Sequence, residues 1–103
     1  MDEERLPPGT VLLDGYIDVP AERRAAVAEA LAEHVRLTLA EPGCRRFSVA
    51  LCPNVPGRYL VSEAFVDRAA FDAHQTRAAA SAWADVTQGI ARNYEIRTIA
   101  ADE

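Results

Sequence analysis

Two hydrophobic periods alternate along the chain. From Thr10 to Asp18 the side chains change side at every step, with Val11, Leu13, Gly15 and Ile17 on one face and Leu12, Asp14, Tyr16 and Asp18 on the other. A period of two is that of a strand. Gly15 interrupts its face, and a glycine inside a strand marks a bulge or a place where another backbone or a ligand comes close. Val19-Pro20 ends the strand, and Pro20 suits a first helical turn because its missing N–H would be unpaired there anyway. The Ala-rich stretch from Glu22 to Ala40 has high helix propensity. Within it Val27, Leu31, His34, Val35, Thr38 and Leu39 recur at helical spacing and form one stripe, so this helix covers a sheet. Glu41-Pro42-Gly43 stops it, because proline cannot continue a helix and glycine can turn the chain back.

A second alternating run, Cys44 to Cys52, puts Phe47, Val49 and Leu51 on one face. Turn-rich Pro53-Asn54-Val55-Pro56-Gly57 leads to a third, Arg58 to Val66, and the two runs are expected to pair as an antiparallel hairpin. At Asp67, a good N-cap, the period becomes helical again through Ala69, Ala70, Phe71, His74 and Ala78. Trp83, Val86 and Ile90 continue an apolar stripe, on the same helix or on a third one ending near Gly89, that packs against the sheet. Arg92 to Ile99 alternates once more.

The order strand, helix, strand, strand, helix, strand is the split βαβ of the ferredoxin-like architecture, an α+β fold with a four-stranded antiparallel sheet. Helices cover one face of such a sheet. The other, bearing Tyr, Phe and Leu, is too apolar to leave in water, so a homodimer is expected. A ligand pocket belongs between sheet and helices or between subunits.

Composition narrows the picture. The 103 residues fit one domain, over residues 10–103, preceded by a polar arm, residues 1–9, that ends in Pro7-Pro8-Gly9. No apolar run is long enough to span a membrane. The start Met1-Asp2-Glu3-Glu4-Arg5 lacks the basic and apolar blocks of a signal peptide, which points to the cytoplasm. A net charge of −5, with Arg23-Arg24 and Arg45-Arg46 as the longest basic runs, argues against nucleic acid as a partner. Cys44 and Cys52 bracket one strand, which holds them roughly 26 Å apart. A disulfide needs about 7 Å or less, so they do not pair within the chain. Neither has zinc-type spacing, and no metal site is expected.

Candidate chemistry sits where the third strand meets the second helix. Glu63 and Phe65 share a face, and Asp67 hands the chain directly to the helix bearing His74. An ionisable base therefore stands near the rim of the surface they line. His34, at the edge of its stripe, reads as a partly buried structural histidine. Plain structural roles fit too: an intersubunit ion pair of Glu63 with an arginine such as Arg46, and His74 closing its helix against the dimer.

Glu41-Pro42-Gly43-Cys44, the strand end with Glu63 and Phe65, and Ala70-Phe71-Asp72-Ala73-His74 together resemble the antibiotic biosynthesis monooxygenase family of dimeric α+β barrels. The similarity runs from about Thr10 to Ile99. It implies a small oxygenase that works with O₂ on a polycyclic phenol, anthrone or hydroquinone, without metal, flavin or haem. In that reading His74 is the base or proton relay and Phe65 a cavity wall, while Glu63 orients a partner or the histidine. Tyr16 and Tyr94 are hydrogen-bond donors to the substrate. Many members carry a tryptophan where Phe65 stands and a second histidine near Ala79, and the missing tryptophan speaks against haem degradation. The fold also hosts isomerases and non-catalytic proteins, so an isomerase and a dimeric binder of small aromatic ligands stay open as alternatives.

Overall fold

The alternating segments become four strands: β1 (Val11–Asp18), β2 (Cys44–Leu51), β3 (Arg58–Phe65) and β4 (Asn93–Thr98). In this computed structural model, which describes residues 6–100, they form one antiparallel sheet in the order β2-β3-β1-β4. Helices α1 (Arg24–Leu39), α2 (Arg68–Ala79) and α3 (Ala82–Val86) complete a ferredoxin-like α+β fold.

Register decides what each face carries. Leu13 lies between Glu63 and Ile96, and Gly15 between Val61 and Tyr94. Directly opposed residues share a face, so Val11, Leu13, Ile17, Phe47, Tyr59, Val61, Glu63, Phe65 and Tyr94 all point one way. The helices cover that side. Val11, Leu13, Val61 and Phe65 pack with Phe71 of α2, while Ile17, Val19 and Tyr59 pack with Val27 of α1 and Trp83 of α3.

The uncovered face differs from its expected composition. Both Phe47 and Phe65 belong to the helix side, so no phenylalanine is on it. Tyr16 is on it, and so is Leu60, 43% exposed, but Leu12 and Ala64 are buried. Between them run polar links. The Arg58 guanidinium donates to Asp18 at 2.7 and 3.0 Å and lies 3.8 Å over the Tyr16 ring. Arg46 donates to the Ser62 hydroxyl at 3.1 Å.

Local chemistry sets the joints. The Asp67 carboxylate accepts the Ala70 N–H at 2.8 Å and starts α2 as a side-chain N-cap. Gly43, at φ +98°, takes the left-handed turn that ends the helix-stop segment, and its carbonyl accepts the Val66 N–H at 2.8 Å. The Glu41-Pro42-Gly43 turn is thereby tied to the end of β3. At Gly15 a Cβ would collide with the Asn93 carbonyl oxygen, so the close approach expected there is that of the β4 backbone.

Some boundaries move. The first helix is preceded by a 3-10 turn, Ala21–Arg23, whose Arg23 guanidinium donates to the carbonyls of Val86 and Gln88 at 2.8 and 2.7 Å. That bond joins the start of α1 to the end of α3. Leu39 and Leu51, expected inside, are 57% and 61% exposed. Each is the last residue of its element. Both cysteines are free. Of the N-terminal arm, residues 1–5 lie outside the described residues, and the Gly9 N–H donates to the Ile99 carbonyl at 2.9 Å. No helix among the described residues is long and apolar enough to cross a membrane.

Candidate functional site

A cleft of about 440 Å³ opens between the sheet and the helices. Leu13, Glu63, Tyr94 and Ile96 line it from the strands, His34 from α1, His74 and Gln75 from α2, Trp83 from α3, and Arg92 from the approach to β4. Its helical wall includes Ala78, Ala79 and Ala84. Those short side chains leave the space that larger ones would fill.

The best-anchored group in the cleft is His74, only 2% exposed. Its Nδ1 lies 3.0 Å from Glu41 Oε1. The other Glu41 oxygen accepts from Arg77 Nε at 2.7 Å. Arg77 Nη2 donates to Thr38 Oγ1 at 2.9 Å, and the Thr38 hydroxyl donates to the His34 carbonyl at 2.7 Å. A carboxylate paired with arginine can only accept, so the proton between Glu41 and His74 belongs to Nδ1. This leaves Nε2 as a bare lone pair. Burial holds the imidazole below its ordinary pKa, partly opposed by the Glu41 charge and hydrogen bond, so at neutral pH it is uncharged. The Phe65 ring stacks on it at 4.9 Å between centroids, and Phe47 meets it edge-on at 5.6 Å.

On the Nε2 side stands Glu63. Its Oε1 is 3.9 Å from Nε2, beyond hydrogen-bond reach, and has no hydrogen-bond partner among the described residues. Burial pushes this carboxyl up to about 8, with the negative charges of Glu41 and Asp14 adding to the shift. Glu63 is therefore predominantly a protonated donor at neutral pH, next to a neutral acceptor. His34, 5% exposed, is held down to about 4, first by burial and then by positive charge nearby: that of His74 at acid pH, where it too is protonated, and those of Arg77 and Arg92. Its ring lies flat on Trp83, 4.8 Å between centroids and 2° between planes. Tyr94 is pushed up to about 12 by burial, so its phenol stays a donor.

Among the residues singled out from sequence, Glu63, His74 and Tyr94 meet in the cleft. Phe65, expected as a cavity wall, does not line the cleft: it is buried in the core behind His74 and stacks on its ring. Tyr16 does not join them: it is one step out of phase with Gly15, so it faces away from the helices beneath Arg58. Glu63 makes no bond to His74, and the orienting carboxylate is Glu41. Arg46 points to the opposite face from Glu63.

Sequence reasoning missed the role of Glu41, which it read as a helix stop and as part of a family-like turn but not as a partner of His74, and it missed Arg77. It placed His34 and Trp83 in the packing alone. The usable signal for Glu41 was the His74-x-x-Arg77 pair, two cationic-type side chains on one helix face that invite a shared acid.

Fold and cleft together define a ferredoxin-like α+β domain with a buried, carboxylate-oriented histidine between sheet and helices. The model of the antibiotic biosynthesis monooxygenase family matches residues 10–86, most of the chain, and the chain belongs to that family. No curated protein matches it. Among solved structures it is similar to a conserved protein of unknown function from Bacteroides thetaiotaomicron, at 16% identity and TM-score 0.72 over 89% of this chain and 99% of that one. A Nitrosomonas europaea protein described as a candidate antibiotic biosynthesis monooxygenase gives 23% and 0.71 over 91% and 99%. MupZ of Pseudomonas fluorescens gives 18% and 0.72 over 86% and 67%. At these identities the likeness is one of fold.

Proposed function

We propose that the protein is a cytoplasmic, homodimeric monooxygenase that oxidises a small aromatic substrate, an anthrone, polyphenol or hydroquinone, with O₂ and without a cofactor of its own. The observation that carries this reading is the Glu41–His74 pair, which turns Nε2 toward the buried Glu63 carboxyl in a cleft lined by Trp83 and Tyr94.

The chemistry follows from what each group can do. A substrate oxygen lodged between Nε2 and Glu63 gives its proton to His74 and takes a hydrogen bond from the Glu63 carboxyl. Glu41 stabilises the imidazolium that forms. The substrate anion, poorly solvated in the cleft, is rich enough in electrons to pass one to O₂, and the aryl radical and superoxide combine to form a carbon–oxygen bond. For an anthrone methylene the balance is CH₂ + O₂ → C=O + H₂O. All four electrons come from the substrate, and the proton held by His74 returns to the departing oxygen. The uncovered sheet face, with Leu60 exposed beside Tyr16, is the surface on which a second copy would dock.

Oxygen consumption by the purified protein with anthrones and hydroquinones, with and without His74→Gln, tests the reading. Uptake above the autoxidation blank that disappears in His74→Gln supports it. Uptake no faster than the blank with every substrate class contradicts it.

A further inference from the structure

The mechanism above uses one imidazole of the cleft and leaves the other idle. His34 is buried and lines the cleft, yet its Nδ1 has no hydrogen-bond partner. Buried polar atoms are normally bonded, and one left unsatisfied costs stability. A histidine serving only to fill space would be better replaced by an apolar ring. The imidazole is also held in place: Trp83 stacks flat on it, and Phe47 meets it edge-on at 5.2 Å. It is a fixed polar ring at the cleft wall, and no hydrogen bond of the described residues satisfies its Nδ1.

His34 stands 5.9 Å from His74 between ring centroids, with 41° between their planes. The two imidazoles are thus neighbours in the lining of the cleft. An aromatic ring carrying oxygens on neighbouring carbons presents both from one edge and can meet both imidazoles together. Oxygens at opposite ends of a ring system point away from each other and cannot.

We propose that His34 is a specificity-determining residue that hydrogen-bonds a second ligand oxygen next to the one held at His74, so that the cleft selects aromatic compounds with two vicinal oxygens. The inference rests on the reading of the cleft as a site for small aromatic ligands and needs no turnover. Trp83 and Phe47 fix the plane of His34, and Glu63 completes the polar end of the site. The rest of the ligand's ring system extends past Ala78, Ala79 and Ala84.

Calorimetric titration under nitrogen with 2,3-dihydroxynaphthalene, 2,6-dihydroxynaphthalene and 2-naphthol tests this on one ring system. The 2,3-isomer is expected to bind about three- to tenfold more tightly than the other two, the worth of one well-made hydrogen bond. In His34→Phe, which keeps the stack on Trp83 and removes both nitrogens, that preference is expected to collapse to within about twofold, while His34→Gln regains part of it. Equal affinities in the native protein, or a preference that survives in His34→Phe, would overturn the proposal. Should His34→Phe fail to fold, the native protein still decides: the His34 ring nitrogens must shift in ¹⁵N NMR when 2,3-dihydroxynaphthalene is added, and unmoved resonances refute the contact. Vicinal preference with no oxygen uptake would leave this inference standing and remove the oxygenase reading. Oxygen uptake with no vicinal preference would do the reverse.

Discussion

The two faces of the sheet are built from alternate residues of the same four strands, yet they treat charge in opposite ways. On the open face Asp18 is exposed and pairs with Arg58, whose hydrogen bond holds its carboxyl below the usual range. On the covered face Glu63 has no such partner, and burial pushes its carboxyl up to about 8. Position along β1 and β3 explains the contrast. A one-residue step decides whether a side chain meets water or the helices, and burial without a cation turns an acid into a proton donor. The open face offers solvated ion pairs of little energetic consequence. On the covered side a buried acid without a cation, Glu63, stands next to an imidazole whose Nδ1 is held by Glu41, an arrangement suited to proton transfer at neutral pH.

Removing the proposed base strains this comparison most. His74→Gln is expected to lower the rate of oxygen uptake by about 10²–10⁴ while leaving far-UV circular dichroism unchanged. Next comes Glu41→Gln, which keeps an acceptor for Nδ1 but removes the charge. Its expected cost is about tenfold to a hundredfold in rate. Because the Glu41 charge raises the His74 pKa, the acid limb of the pH–rate profile should move to lower pH in this variant. A limb that stays in place would assign it to another group.

Glu63→Gln sharpens the contrast through stability. The folded pKa of about 8 lies above the ordinary 4.5, so between these values the folded protein holds a proton that the unfolded chain has released. The contribution of Glu63 is therefore fully present below about 4.5 and is lost as pH rises through 8. His34 and His74 act in the opposite sense, but only below about 6.5, where the unfolded chain takes up their protons. From pH 6.5 to 8 the native protein should lose on the order of 2 kcal/mol that Glu63→Gln does not lose, as read from urea unfolding. Parallel curves for the two proteins would show that Glu63 is ionised in the fold. The smallest effect belongs to the open face: Asp18→Asn should leave oxygen uptake and its pH profile indistinguishable from those of the native protein.

Much of the fold was legible because it depends on neighbours in the chain. Asp67 announced the start of α2 and does cap it. Gly15 marked a close approach, and the β4 backbone is what approaches. The Glu63–Phe65 face and its hand-over to His74 are where the alternation put them. Contacts across long separations were not legible. Glu41 reaches His74 only because the turn after α1 is tied to the end of β3, and nothing local in the Glu41-Pro42-Gly43 stop reveals that. Tyr16 and Tyr94 look equivalent in the sequence. Pairing separates them, since Tyr94 opposes Gly15 on the covered face and Tyr16 falls on the other. His34 and Trp83 read as core because a helical stripe shows which side is buried but not that a cleft interrupts the core at that point.

The central claim is that His74 is a neutral imidazole protonated on Nδ1, with Nε2 free toward Glu63. Long-range ¹H–¹⁵N NMR of the two histidines at pH 7 reads this directly, because the two nitrogens of a neutral ring resonate far apart and report which one carries the proton. The expected result is a His74 ring with a proton on Nδ1 alone, losing that signature in Glu41→Gln more readily than in Glu63→Gln. A His74 that is doubly protonated at pH 7, or that carries its single proton on Nε2, would contradict the assignment of the base.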